Sequence, residues 1–118
     1  MTTVGIVDYG LGNLTSVAGA VRRLGHEPII SSDSGTLIRT DKLILPGVGA
    51  FADGMRNLRA RGLVEILQRI VMDDGKPILG ICLGAQLVAR ESEEFGQCEG
   101  LGWIDAPVRR LNPANPDL

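Results

Sequence analysis

Short apolar strands alternating with amphipathic helices predict an α/β fold: a three-layer α/β/α sandwich built on a mostly parallel sheet. Three observations carry that expectation. Four runs, Thr3–Asp8, Pro28–Ser31, Lys42–Leu45 and Pro77–Ile81, are β-rich and nearly continuous in apolar residues, as strands covered on both faces are. Stretches between them carry apolar residues at helical spacing. Strands that alternate with helices in this way form right-handed βαβ units and therefore a parallel sheet.

Taken in order, the first strand ends at Asp8 and enters the turn Tyr9-Gly10-Leu11-Gly12. Asn13 has the side chain of an N-cap. Leu14, Val17, Ala18, Val21 and Leu24 then recur on one helical face, and Gly25 stops the helix. Pro28–Ser31 is the second strand, and Lys42–Leu45 the third, running into Pro46-Gly47-Val48-Gly49. Leu63, Ile66, Leu67, Ile70 and Val71 mark a further amphipathic helix that ends at Gly75. Pro77–Ile81 is the fourth strand, followed by a helix from Leu83 to about Glu91. After Gly96 the pattern weakens, and one more strand is expected over Ala106–Leu111. Asn112 to Leu118 has loop chemistry and no closing element, so residues 1–118 read as one domain, incomplete at its C-terminal side.

The 118 residues suit a single domain large enough to bury a core, and the 44% hydrophobic content excludes a disordered tail. The net charge of −2 comes from interspersed charges of both signs, which leaves no basic footprint for nucleic acid or an anionic membrane. Arg56, Arg59 and Arg61 read as a solvated helix face. No stretch approaches the ~20 apolar residues of a membrane span, and residues 1–10 do not read as a signal peptide. Cys82 and Cys98 lie in unlike contexts, so reduced thiols in a cytoplasmic protein are expected. Two cysteines and one histidine do not suggest a zinc site, and no metal is expected.

The strongest motif is Gly80-Ile81-Cys82-Leu83-Gly84, between a strand and a helix. It has the form of a nucleophile elbow with cysteine as the nucleophile. The turn is tight, and a side chain at either glycine would clash there. The start of the helix favours thiolate over thiol. The competing reading is a small buried cysteine that only packs. Pro46-Gly47-Val48-Gly49 also follows a strand and so shares the carboxyl edge of the sheet with Cys82. Its backbone amides, with that of Leu83, can face an oxyanion; otherwise it is an ordinary turn.

Two further features are weaker. Tyr9-Gly10-Leu11-Gly12-Asn13-Leu14 resembles the start of a dinucleotide fingerprint, with Asp33 where a ribose-binding acid would lie, but Thr15 replaces the third glycine. A tight loop used for packing or for docking a partner fits better. Cysteine catalysis needs a base, and the one histidine is His26, before the second strand and therefore on the amino edge, opposite Cys82. His26 reads as a surface residue and Cys98 as a packing thiol.

Together these residues form a recognisable set. Gly80-Ile81-Cys82-Leu83-Gly84-Ala85-Gln86 resembles the signature of class I glutamine amidotransferases. Asp8-Tyr9-Gly10-Leu11-Gly12-Asn13-Leu14, Leu45-Pro46-Gly47-Val48-Gly49-Ala50-Phe51 with Gly54-Met55, and Glu91-Ser92-Glu93-Glu94 with Gly100-Leu101-Gly102 narrow the likeness to the glutaminase subunits of imidazole glycerol phosphate synthases.

The resemblance implies a flavodoxin-like fold and a cofactor-free reaction in which Cys82 attacks the carboxamide of L-glutamine. It implies oxyanion amides at Gly49 and Leu83, with the Gly47–Gly49 segment reorienting on activation, and glutamine contacts at Gly47, Gln86 and Glu94. It further implies that Tyr9, Gly12 and Asn13 meet a cyclase subunit, a (β/α)8 barrel. The family's catalytic histidine and glutamate belong to a later segment not found here. Two other readings stay open: a paralogue feeding ammonia to a sugar-modifying synthetase, and an inert interaction module.

Overall fold

The computed structural model describes residues 2–93 and 96–111. A four-stranded sheet is formed by β1 (Thr3–Val7), β2 (Glu27–Ser31), β3 (Lys42–Leu45) and β4 (Ile78–Gly80), in the order β2-β1-β3-β4. Every pairing in it is parallel: Val4 lies opposite Pro28 and Lys42, and Leu45 opposite Gly80. The expected parallel α/β architecture is therefore present.

The strand order decides which helix covers which face. The chain steps from β1 outward to β2, then returns past β1 to β3 and β4. Right-handed crossovers in opposite directions put their helices on opposite faces. Thus α1 (Leu14–Arg23) covers one face. The other is covered by α2 (Ser34–Ile38), α3 (Phe51–Ala60) and α4 (Leu63–Leu67), which runs on into a π-helical turn over Gln68–Asp73. The main core lies on this second face, where Leu43 and Leu45 meet Phe51, Met55, Leu58, Leu63 and Leu67. Each such side chain contributes about 1.5–3 kcal/mol by leaving water. The buried residues of α1, Ala18 and Val21, form a smaller layer outside that cluster.

The reversal of direction falls between β1 and β3. In open α/β sheets that point leaves a crevice at the carboxyl ends of the strands, where ligands bind. The loops after β1 and β3 both open there.

Three expectations are corrected. The helix expected to reach about Glu91 is α5 (Leu83–Leu87), and Ala89–Ser92 is a strand, β5. The cause is tertiary: the carbonyls of Leu87, Val88 and Ala89 accept hydrogen bonds from the amides of Leu101, Gly102, Trp103 and Ile104, which ends the helix. The strand expected over Ala106–Leu111 is β7 (Ile104–Val108). It belongs to a separate sheet of order β6-β5-β7, with β6 (Cys98–Glu99) antiparallel to β5. Thirdly, α2 had no counterpart in the sequence reading. Among the described residues no helix is long and apolar enough to cross a membrane.

Candidate active site

Cys82 stands between β4 and α5 at φ 52°, the only non-glycine residue with positive φ among those described. A cysteine held in that region is strained, and the fold around it must supply the constraint. The flanking glycines show how. A Cβ on Gly84 would lie 1.7 Å from the carbonyl oxygen of Leu45, and one on Gly80 would lie 2.7 Å from the Cα of Ala85. The turn is therefore pressed against the end of β3 and against its own helix. The thiol itself is exposed. A buried packing cysteine does not fit this geometry; a nucleophile elbow does.

The Pro46–Gly49 turn lies beside it. The amide of Leu83 donates to the carbonyl of Gly47 at 3.3 Å. In this arrangement the amide expected to face an oxyanion already has a partner. Gly49 has φ 111° and open space around its Cα, and Val48 exposes 59% of its surface. The carbonyl of Gly47 and the amide of Val48 belong to one peptide unit and point in opposite directions. In this arrangement the Val48 amide therefore points away from the Leu83 amide.

The loop after β1 backs directly onto this turn. A Cβ on Gly12 would meet the Gly47 nitrogen at 3.2 Å, and one on Gly47 would meet the Tyr9 hydroxyl at 2.0 Å. Tyr9 is fully buried and its hydroxyl donates to the carbonyl of Pro46. Burial pushes its phenol up to about 12. This corrects the expectation that Tyr9 meets a partner: its side chain faces the core. Gly12 is partly exposed, and Asn13 is exposed and caps α1 by accepting from the amide of Ser16 at 3.2 Å.

Two residues that the sequence reading passed over hold this loop. Asn57 Nδ2 donates to the carbonyl of Tyr9 at 2.9 Å. Arg61 donates to the Asp8 carbonyl at 3.0 Å and lies 3.4 Å from its carboxylate. Arg61 is therefore an anchor of the loop and not part of a free solvated face. Arg56 and Arg59 are exposed, as expected. The only hint in the sequence was the spacing of Asn57 and Arg61, one helical turn apart on the helix that follows the glycine-rich turn.

The remaining candidates divide. Gln86 is exposed, one turn along from Cys82, with its amide bonded to the Cys82 carbonyl at 3.2 Å. Glu94 lies outside the described residues. His26 is on the amino edge, where its Nδ1 accepts from the amide of Thr2 at 3.3 Å, so it cannot serve Cys82. Cys98 is half-buried against the core. Asp33 is the N-cap of α2, accepting from the amide and hydroxyl of Thr36 at 2.9 Å each. Those bonds hold its carboxyl below the ordinary range. With Asp33 used as a cap, and Gly10 and Gly12 packed against α3 and the neighbouring turn, the dinucleotide reading loses its support. An apolar cleft of about 270 Å³ lies at the opposite end of the sheet, lined by Val4, Val21, His26, Leu43 and Leu79 among others, and Cys82 is not part of its lining.

A strained cysteine elbow next to a glycine-rich turn, at the carboxyl edge of a parallel sheet, is the geometry of an exposed nucleophile on an α/β fold. The chain belongs to the class I glutamine amidotransferase family, whose model matches residues 5–111. The chain is 48% identical over its whole length to an imidazole glycerol phosphate synthase subunit HisH 2 of Nitrobacter winogradskyi, covering 58% of it. It is 52% identical over 94% of its length to a subunit HisH of Geobacillus thermodenitrificans, covering 52% of that protein. Among solved structures, a glutamine amidotransferase superposes with a TM-score of 0.77 at 24% identity over 96% of this chain and 59% of the other, a likeness of fold. The chain spans about half the length of the curated relatives it matches.

Proposed function

We propose that this chain carries the nucleophile of a glutaminase subunit of imidazole glycerol phosphate synthase. The Cys82 sulfur attacks the carboxamide carbon of L-glutamine. The C–N bond then breaks, ammonia leaves with a proton, and water hydrolyses the resulting thioester to glutamate. The observation that carries the reading is Cys82 at φ 52° in its elbow beside the Pro46–Gly49 turn. Rotation of the Gly47–Val48 peptide would clear the Leu83 amide and turn the Val48 amide toward the same oxyanion, with Gly49 giving the turn its freedom. Gly47 and Gln86 would line the glutamine pocket, and Glu94 is the residue expected to hold the amino group.

The ammonia would pass to a cyclase subunit, a (β/α)8 barrel, docked on the side of Gly12 and Asn13, which are accessible. That subunit would form imidazole glycerol phosphate and AICAR, in the cytoplasm. The names of the relatives support this acceptor over a sugar-modifying synthetase. The proton on Cys82 needs an acceptor, and the only histidine of these 118 residues is His26 on the far edge. Multiple turnover by these residues alone should therefore be very slow, whereas a single covalent event needs only thiol and pocket.

The test is intact-mass analysis after incubation with a diazo-ketone analogue of glutamine. One adduct, mapping to Cys82 and blocked by glutamine, is the expected result. A folded chain that gains no adduct would refute the glutamine site and leave the interaction-module reading.

A further inference from the structure

We infer that Tyr9 is a positioning residue for the oxyanion turn: its buried hydroxyl, by holding the Pro46 carbonyl, keeps the Gly47–Val48 peptide in the orientation that occupies the Leu83 amide. The inference rests on the reading of Cys82 and this turn as a glutamine site.

Three contacts converge on the Pro46–Gly47 segment, and a fourth anchors the residue that makes two of them. The Tyr9 hydroxyl donates to the Pro46 carbonyl from a side chain with no exposed surface. That hydroxyl fills the space where Gly47 would carry a Cβ, 2.0 Å away, so it touches both ends of the Pro46–Gly47 unit. Gly12, on the same loop as Tyr9, closes against the Gly47 nitrogen and Cα from another side. The Tyr9 backbone is in turn tied to α3 through Asn57, at 2.9 Å from its carbonyl. Downstream of the clamp, the Gly47 carbonyl accepts from Leu83 at 3.3 Å, and beyond it Val48 and Gly49 are exposed.

The turn is thus fixed at its first peptide and open at its last, a geometry in which rotation begins after Gly47. Removing the hydroxyl loosens the fixed end and leaves the buried Pro46 carbonyl unpaired. Rotation that pairs this segment differently then becomes less unfavourable by about one net hydrogen bond. Tyr9 has no exposed surface whereas Cys82 is exposed, so Tyr9 acts through the turn.

The experiment compares the chain with its Tyr9→Phe form. Cys82 labelling is timed with two reagents, mapped by peptide mass to exclude Cys98. One is the diazo-ketone glutamine analogue, whose ketone oxygen takes the place of the carboxamide oxygen. The thiol adds to its diazo carbon as N2 leaves. The other is iodoacetamide, which alkylates the thiol with loss of iodide and needs no oxyanion donors. The ratio of the two rates should rise roughly 3- to 10-fold in Tyr9→Phe. Asn57→Ser, which frees the other end of the clamp, should move it the same way and serves if Tyr9→Phe does not fold. A general loosening would raise both rates together and leave the ratio unchanged, overturning the inference while the labelled parent keeps the glutamine site. No labelling of the parent by the analogue, with iodoacetamide reactive, overturns the glutamine site itself and the inference with it.

Discussion

At Gly84 the distance between a hypothetical Cβ and the Leu45 carbonyl oxygen is 1.7 Å, with backbone on both sides of the contact. No side chain can swing away to relieve it. Gly84→Ala should therefore destabilise the chain by about 1–3 kcal/mol or more, read as a lower denaturant midpoint. Gly49→Ala meets no neighbour, but its φ of 111° disfavours any side chain. Its cost should fall on Cys82 labelling by the glutamine analogue more than on stability. Such crowding was legible in the sequence, because two glycines around a nucleophile have few other reasons to be there. Asn57, Arg61 and the burial of Tyr9 were not legible. Each depends on which face of α3 meets a loop almost fifty residues away in the chain, and that is set by packing.

Tyr9 also gives a titration that stability should report. Its phenol is raised by burial from 10.0 to about 12, so the folded state prefers the neutral form. The sign follows: this contribution is fully present below the unfolded value near 10 and is lost as the pH rises through the folded value near 12. Two units correspond to about 3 kcal/mol. In Tyr9→Phe the part of the alkaline decline between pH 10 and 12 that belongs to Tyr9 should disappear. Equilibrium unfolding at several pH values measures it, and identical alkaline limbs for both proteins would refute it.

Among the elements, β1 to β4 and α1 were read from the sequence because their apolar residues keep one period over a full element and end at turn residues. The helix α2 has five residues and one buried position, Leu37, too short to display a period. What makes it a helix is its ends. Asp33 caps the start, and Lys76 Nζ closes the end by donating to the carbonyls of Leu37, Ile38 and Thr40. Lys76 comes from the loop before β4, so this C-terminal closure is invisible to any local reading. Its partial burial lowers the pKa of the ammonium, with Asp41 and Asp74 opposing that shift.

Asp33→Ala should lower the melting temperature by a few degrees at neutral pH, and Asp33→Asn by less, since an amide oxygen still caps. The carboxyl of Asp33 is held low by Thr36, so its stabilisation is present above the unfolded value near 4 and fades as the pH falls through the folded one. The gap between parent and Asp33→Ala should accordingly close in acid. A gap that stays constant with pH would mean that the cap is not ionic.

For the whole molecule, the sheet class followed from the alternation of strands and helices, but the order β2-β1-β3-β4 did not. It places the switch point between β1 and β3, and so gathers the loops of Tyr9 and Pro46 at one crevice with Cys82 one strand away. The same order makes β4 an edge among the described strands. Leu79 on β4 is 58% exposed and Leu24 at the end of α1 is 76% exposed. Both line the apolar cleft on the α1 face. An unpaired parallel edge beside an apolar cleft is a surface that proteins cover or charge. A protein of these residues, with Leu79 and Leu24 exposed beside that cleft, should therefore self-associate at about micromolar concentrations. Leu79→Lys places a charge on that edge and should shift the population toward monomer in analytical ultracentrifugation. A parent chain that sediments as a single monomeric species across that range would show that the edge and cleft are already compatible with water.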